Sequence, residues 1–415
     1  MSFALLAIGT ELTRGDLHNT NSGWLAERLT SLGHEVTHML SVDDEDERIV
    51  EALRGLARDH EIIVCTGGLG PTTDDRTSAC VARLLGVPLL RDAAAFERIL
   101  AFFKARGRDM APSNGKQADF PEGAVVLPNR MGTAPGFSVR IGTCSAYFLP
   151  GVPREMSVMF DEQVVPHLPK PAAPFTTVRL RTFGLPEAEV NDRLAAIETK
   201  HQVTIGYRAS NSEIEVKVMA RAQLAESAEQ LELRASSAAD EIASLLGPVV
   251  YSRGQAQLPE VIGQLLLERR ATLALAESCT GGLLSQWITS VPGASRYFKG
   301  GVVAYANAAK AQLLGVPETV LRRHGAVSEP VARAMAEGAQ RVLGSDYAIA
   351  LTGLAGPGGG TKDKPVGLVH WAVTGPQGTV CRRVEFFGDR AQVQSRSATS
   401  ALFTLYKFLT DQLSP

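Results

Sequence analysis

The stretch "ATLALAESCTGGLLSQWITSV", Ala271 to Val291, holds the pattern on which the fold can be read. Its first six residues are a small apolar run of strand length, and Leu283, Leu284, Trp287 and Ile288 recur at helical spacing. The heptapeptide "AESCTGG" between them is therefore a strand-to-helix turn. Such a turn offers backbone N–H groups and the positive end of a helix dipole to an anion or a developing oxyanion. Gly281 and Gly282 let a ligand approach the backbone. Ser278, Cys279 and Thr280 stand side by side in it, each able to act as nucleophile or ligand contact, and Ser278 or Thr280 equally able to cap the helix.

Outward from this turn, strand and helix patterns alternate through both ends of the chain. "SFALLAIG", "HEVTHMLSV" and "EIIVCTGG" read as strands, separated by the helical "NSGWLAERLTSLG" and "DEDERIVEALRGLARDH". Strands spaced by single helices imply a parallel sheet covered on both faces. "KPVGLVHWAVTG" and "GTVCRRVEFFG" look like a hairpin, so the C-terminal sheet is expected to be mixed. The proline-rich "HLPKPAAPF", His167 to Phe175, reads as a linker, and a second boundary is placed near "GPVVYSRGQAQLP", Gly247 to Pro259. The expected domains are 1–168, 175–250 and 256–415, α/β at both ends with a small α+β connector of order β-α-β-β-α between them.

Composition sets the class. The 415 residues are 45% hydrophobic and 21% charged with a net charge of -2, as in an ordinary soluble protein too long for a single core. No apolar run approaches the roughly 18 to 20 residues of a membrane span, and the N-terminus lacks a signal-peptide pattern. A cytoplasmic location without membrane association is expected. Five cysteines, at 65, 80, 144, 279 and 381, contain no CxxC pair, which argues against a disulfide framework or a zinc site. Near-neutral charge gives no case for a nucleic-acid partner. "RLRTF" and "YRAS" alone are locally basic.

Two polar, glycine-rich stretches follow strand ends in the first domain, "GTELTRGDLHNTN" from Gly9 and "TGGLGPTTDD" from Thr66, and should face one crevice. Glycines at close range cradle phosphate with backbone N–H groups. The neighbouring carboxylates Glu11, Asp74 and Asp75 would repel a phosphate unless a divalent cation lay between, so metal-assisted attack on a phosphoanhydride is implied, with Asp74 alternatively capping the helix that follows.

"GTEL", "TGGLGPTTDD", "NGKQA", "GTAPGF" and "LPGVPREM", in this order between Gly9 and Met156, resemble the molybdopterin-binding-like domain of the CinA (competence/damage-inducible protein A) family. The resemblance implies an ADP-ribose pyrophosphatase that forms AMP and ribose 5-phosphate with a divalent metal such as magnesium, cobalt or manganese. Carried over, Gly9, Thr10, Glu11, Thr66, Gly67, Gly68 and Gly70 would contact substrate, with Asn114, Lys116 and Gln117 opposite. Asp74 would be catalytic, and Asp74, Asp75 and Glu11 would bind metal. The middle segment resembles the family's KH-like connector, here without a GxxG loop to clamp a nucleic-acid backbone, and is read as a spacer.

The resemblance continues through "AESCTGG", "GGVVAYANAAK", "GAVSEP", "LTGLAGPGGG", "KPVG" and "FFGDR", which look like nicotinamide-nucleotide amidase. It implies deamidation of nicotinamide mononucleotide to nicotinic acid mononucleotide and ammonia, with no cofactor. Amide hydrolysis needs a nucleophile, a base and an oxyanion site. Ser278 fits the first, and Lys310 is the candidate base, because a buried lysine loses its proton more readily. Tyr305 is a candidate relay, and Asn307 is read as a helix N-cap. His324 and His370 lie outside the glycine loops. Gly281, Gly282, Ser295, Asn307, Thr352, Gly353 and Arg390 are candidate substrate contacts, Arg390 as a phosphate fork. Cys279 is the rival nucleophile, since a thiolate forms readily at a helix N-terminus. A homodimer is expected on general grounds. The alternative is a first domain that binds a nucleotide or pterin without turnover, or serves as an interaction module in DNA uptake or repair.

Overall fold

The computed structural model describes residues 2–171, 174–210 and 213–413. The chain packs into two compact units, Met1–Thr176 with Arg221–Ala228, and Thr177–Ala220 with Glu229–Pro415. Among the described residues no helix is long and apolar enough to cross a membrane.

The first unit holds strands β1 (Ser2–Ile8), β2 (Glu35–Val42), β3 (Ile62–Thr66), β4 (Leu89–Arg91), β5 (Asp119–Pro121), β6 (Val125–Leu127), β7 (Gly136–Ile141) and β8 (Cys144–Leu149). The main sheet runs β2-β1-β3-β8-β7-β6, with β4 and β5 forming a separate ribbon. β2, β1, β3 and β8 are parallel, and β7 adds antiparallel to β8. In β1 the two-residue side-chain period sends Ala4, Leu6 and Ile8 to one core and Phe3 and Leu5 to the other. Helix Asp46–Asp59 covers the first through Ile49 and Leu53, and helix Thr20–Ser31 covers the second through Leu25 and Leu29. Both faces are thus buried, which leaves the carboxyl-end loops as the open rim.

The connector is a four-stranded sheet ordered β10-β11-β9-β12, from β9 (Phe175–Phe183), β10 (Thr204–Ser210), β11 (Glu213–Arg221) and β12 (Val250–Arg253). Two features differ from the reading of the sequence. The stretch read as a boundary contains β12, which pairs antiparallel with β9. The connector also shares an aromatic cluster with the C-terminal helix Arg390–Leu409: Phe183 lies 4.7 Å from Phe403 between ring centroids, and Tyr251 packs on Phe403 and Tyr406. It is a packed part of the second unit rather than a spacer. Of the proline-rich linker, Ala172 and Ala173 lie outside the described residues.

The C-terminal sheet runs β14-β13-β15-β16-β17, from β13 (Leu273–Glu277), β14 (Phe298–Val303), β15 (Tyr347–Gly353), β16 (Leu368–Gly375) and β17 (Gly378–Glu385). The first three strands in this order are parallel and the hairpin β16–β17 adds antiparallel, giving a mixed sheet. Leucine, isoleucine and aromatic side chains face helices Leu258–Glu268 and Arg390–Leu409 on one side. The other side is alanine-lined, by Ala274, Ala276, Ala348, Ala350 and Ala372, and takes helix Glu329–Leu343. Helix Asn307–Leu314 crosses that helix so closely that a Cβ on Gly338 would stand 2.1 Å from the Leu314 carbonyl oxygen.

Candidate functional site

At the carboxyl end of β13 the chain turns sharply, and Ser278, 8% exposed, is fixed by its amide donating to the Leu351 carbonyl at 3.0 Å. Lys310 enters from the first turn of helix Asn307–Leu314 and is 1% exposed. Its Nζ stands 2.9 Å from Ser278 Oγ, 2.8 Å from the Ala304 carbonyl and 3.0 Å from the Tyr305 carbonyl. Burial pulls the lysine pKa below its ordinary value. Once neutral, the amine keeps two donors for the two carbonyls and aims its lone pair at the serine hydroxyl, the arrangement a general base needs.

The same burial has the opposite consequence for the rival nucleophile. Burial, with the neighbouring Glu277 carboxylate adding to it, pushes the Cys279 thiol up to about 12, so it stays protonated and inert near neutral pH.

A cavity of about 250 Å³ opens over this pair, walled by Ala326, Val327 and the Thr352–Gly356 segment, with Arg390 and Tyr305 also lining it. Arg390 begins its helix behind an Asp389 cap, and its guanidinium donates to the Gly356 carbonyl at 2.8 Å and the Tyr305 hydroxyl at 3.2 Å. Several expectations change. The Tyr305 side chain is 61% exposed and its hydroxyl is bonded to Arg390; it meets Lys310 through its carbonyl, so it is no proton relay in this arrangement. Asn307 is the first helical residue rather than the cap, which is Ala306. Asn307 and Ser295 are exposed, and neither lines the cavity. Gly281 and Gly282 adopt positive φ, 64° and 103°, and shape the turn without lining the cavity. Gly353 is needed for strand pairing, since a Cβ there would lie 2.7 Å from the Leu368 carbonyl oxygen, and Thr352 hydrogen-bonds the Ala326 carbonyl at 2.8 Å. Thr280 does not cap the helix, whose N-cap is Gly282.

In the first unit a cleft of about 710 Å³ gathers both glycine loops, as Gly9 and Glu11 from one and Thr66 to Gly70, Asp74 and Asp75 from the other, with Gln117 across from them. Gly67 sits against Ile8: a Cβ there would stand 2.1 Å from the Ile8 carbonyl oxygen, so glycine brings the loops together. Three expected contacts are tied elsewhere. Thr10 donates through its amide and hydroxyl to Asp44, both at 2.8 Å, Asn114 donates to Gln117 at 3.2 Å, and Lys116 donates to the Thr72 carbonyl at 2.6 Å.

The acids do not form the expected metal set. Asp75 accepts from the Thr72 amide at 2.8 Å and hydroxyl at 2.5 Å, and stands where a Cβ on Gly70 would be, so it staples its own loop. Glu11 folds back over Gly9. Asp74 is exposed, its carboxyl held below the usual range by hydrogen bonding to Thr72. The N-cap position of the helix after it is Arg76 rather than Asp74, and no side chain caps it. No three acidic, histidine or cysteine side chains among the described residues come close enough to hold a metal by themselves. Asp44 and Glu155 also face this cleft and were not singled out from sequence, although each follows a strand's carboxyl end, where ligand groups are expected.

A glycine-loop α/β unit and a second α/β unit with a buried Ser–Lys pair define a two-site α/β scaffold, and comparison with known proteins gives it a family. Residues 4–170 match the probable molybdopterin binding domain, 177–252 the damage-inducible protein CinA KH domain, and 255–409 the CinA C-terminal domain. A CinA-like protein of Anaeromyxobacter dehalogenans is 42% identical, covering 97% of this chain and 98% of its own. A putative competence-damage inducible protein of Symbiobacterium thermophilum is 41% identical over 99% of both. Among solved structures, the competence/damage inducible protein CihA from Agrobacterium tumefaciens is 36% identical, covering 37% of this chain and 93% of that one, with a TM-score of 0.36. The chain belongs to the CinA family.

Proposed function

We propose that the second unit is an amidohydrolase that converts nicotinamide mononucleotide to nicotinic acid mononucleotide and ammonia. The observation that carries this reading is the 2.9 Å contact between a buried lysine and a serine at the floor of a small cavity. Neutral Lys310 takes the hydroxyl proton as Ser278 Oγ attacks the carboxamide carbon. The lysine then gives that proton to the amide nitrogen, the C–N bond breaks, ammonia leaves and the acyl group stays as an ester on Ser278. Water hydrolyses the ester, with Lys310 taking its proton and returning one to the serine. Arg390, at the cavity edge, is the donor suited to the substrate phosphate.

The first unit, in the same reading, hydrolyses ADP-ribose to AMP and ribose 5-phosphate. Its cleft joins amide-rich glycine loops to hard carboxylate oxygens, a donor chemistry that fits magnesium, cobalt or manganese. Asp74 and Glu11 would hold such an ion together with substrate phosphate oxygens, in keeping with ions of this kind that take one or two carboxylates and complete their shell from the phosphates. When bound, the ion would neutralise charge developing on the phosphoanhydride. Asp75 belongs to the loop, and the protein's part is to cradle the phosphates on backbone N–H groups. The full chain is expected to act as a cytoplasmic homodimer.

The test is a pair of assays on the full chain: ammonia release from nicotinamide mononucleotide, and AMP formation from ADP-ribose with and without divalent cation. Ammonia release that persists in Ser278→Ala would remove the serine mechanism. Absence of AMP with every metal tried would leave the first unit as a binding module.

A further inference from the structure

We propose that Glu277 is a positioning residue for the nucleophile turn, holding it so that the amide of Cys279 is kept for the oxyanion of the reacting substrate. The inference rests on the amidase reading of Ser278 and deepens it.

Glu277 is the last residue of β13 and is 0% exposed. Among the described residues its hydrogen-bond partners include no cation. One carboxylate oxygen accepts from the Ser285 amide and hydroxyl, both at 2.7 Å, and the other from the amides of Gly282 at 3.0 Å and Leu284 at 3.1 Å. Every partner is a donor, as an acceptor-only carboxylate requires. These amides belong to the start of helix Leu283–Thr289, where N–H groups lack intrahelical acceptors. The donors that the sequence suggested would face a ligand are therefore consumed by a side chain of the same motif.

Capping alone does not account for this residue. A serine or asparagine satisfies a helix start without the desolvation cost of a buried carboxylate. What a carboxylate adds is reach: it binds across five, seven and eight residues at once and closes the turn into a rigid ring.

Inside that ring, two more amides are used by the turn itself, Gly281 to the Ser278 carbonyl and Leu283 to the Thr280 carbonyl, both at 3.2 Å. The amides of Cys279 and Thr280 donate to no backbone carbonyl among the described residues. The carbonyls of the same two peptides are pinned, Ser278 by Gly281 and Cys279 by the Gln394 side chain at 2.7 Å. A trans peptide points its N–H opposite its C=O, so pinning the carbonyl also directs the N–H. Cys279 directly follows the nucleophile and lines the cavity, a position from which a backbone donor can meet the charge that develops on a carboxamide oxygen.

The test compares Glu277→Gln with the unmodified full chain. Glutamine keeps the shape but turns a donor toward amides that need an acceptor. The expected result is a fall in kcat on nicotinamide mononucleotide of about 10²-fold with KM within about threefold, the signature of a lost transition-state donor. The rate at which phenylmethylsulfonyl fluoride labels Ser278, read by peptide mass spectrometry, should fall in parallel. Ser285→Ala removes one of the donors that hold the Glu277 carboxylate and should show the same split at smaller size, which keeps the idea testable if Glu277→Gln does not fold. Unchanged kcat and labelling rate in a folded Glu277→Gln, or in Ser285→Ala where the first variant does not fold, would overturn the assignment. Should the unmodified chain label at Ser278 yet release no ammonia from the mononucleotide, the substrate reading fails, and the labelling rates alone still decide the role of Glu277.

Discussion

The C-terminal site is bonded together before any substrate arrives, and the N-terminal cleft is not. Lys310 already touches Ser278 inside a cavity of about 250 Å³, whereas in the cleft of about 710 Å³ Asp44 and Asp75 bond residues of their own walls and Glu11 folds over Gly9. Under the proposed functions, the difference follows from what each chemistry must bring with it. Amide hydrolysis by serine and lysine uses only the protein's own groups, so their geometry has to be set by the fold. A cleft that works on a phosphoanhydride receives much of its charge and many of its oxygen ligands from the substrate and its cation, and can leave its carboxylates apart until then.

Substitutions test whether the two sites work independently. The largest expected effect is Ser278→Ala, which should lower ammonia release on the order of 10⁴-fold while ADP-ribose hydrolysis is unchanged. Cys279→Ser should stay within a few fold, because a thiol with a pKa near 12 supplies no thiolate to lose. Lys310→Arg comes next, with a loss on the order of 10³-fold, since a guanidinium keeps its proton. In the unmodified protein kcat/KM should rise with pH through one ionisation lying below the ordinary lysine value of about 10.4, because the base acts unprotonated and burial lowers its pKa. That rising limb should vanish in the arginine variant. In the other cleft, Asp74→Asn should lower metal-dependent AMP formation about 10²-fold and shift the cation concentration required, while Asp75→Asn, which only loosens a loop, should cost about tenfold or less. Arg390→Leu should raise KM for the mononucleotide roughly tenfold to 100-fold, the worth of a charge-assisted hydrogen bond, and leave the dephosphorylated nucleoside unaffected. Equal losses on both substrates would detach Arg390 from the phosphate.

Much of this architecture is legible in the sequence where a pattern is local. β1, β2 and β3 lie within a residue or two of the stretches that announce them, because each is of strand length and bounded by glycine or a polar residue. β12 is hidden, being four residues set among glycine and proline whose partner β9 is some seventy positions away. At the site, Ser278 and Lys310 are 32 residues apart, and composition says only that a lysine is usually exposed; the turn geometry after β14 buries it. Tyr305 shows the opposite failure, a suggestive side chain whose contribution to the lysine is its carbonyl. Asp75 misleads because adjacent carboxylates read alike, while its acceptance from both the Thr72 amide and hydroxyl is what ties it to its own loop. Glu277 carried a signal that went unused: a charge at the end of a wholly apolar strand has to be met by several donors, and the following turn is where they are.

The partners of Lys310 are one hydroxyl and two backbone carbonyls, none of them charged. Its affinity for a proton is therefore governed by dryness. Ala304 and Leu314 belong to the apolar cluster that shuts water out around this helix, and neither carries a reactive atom. A substitution there that admitted a single water molecule would let the ammonium form more easily and displace the working pH upward with every reacting group left in place. Hydration of a hydrophobic wall thus becomes a dial on the reaction, set by side chains that take no part in it.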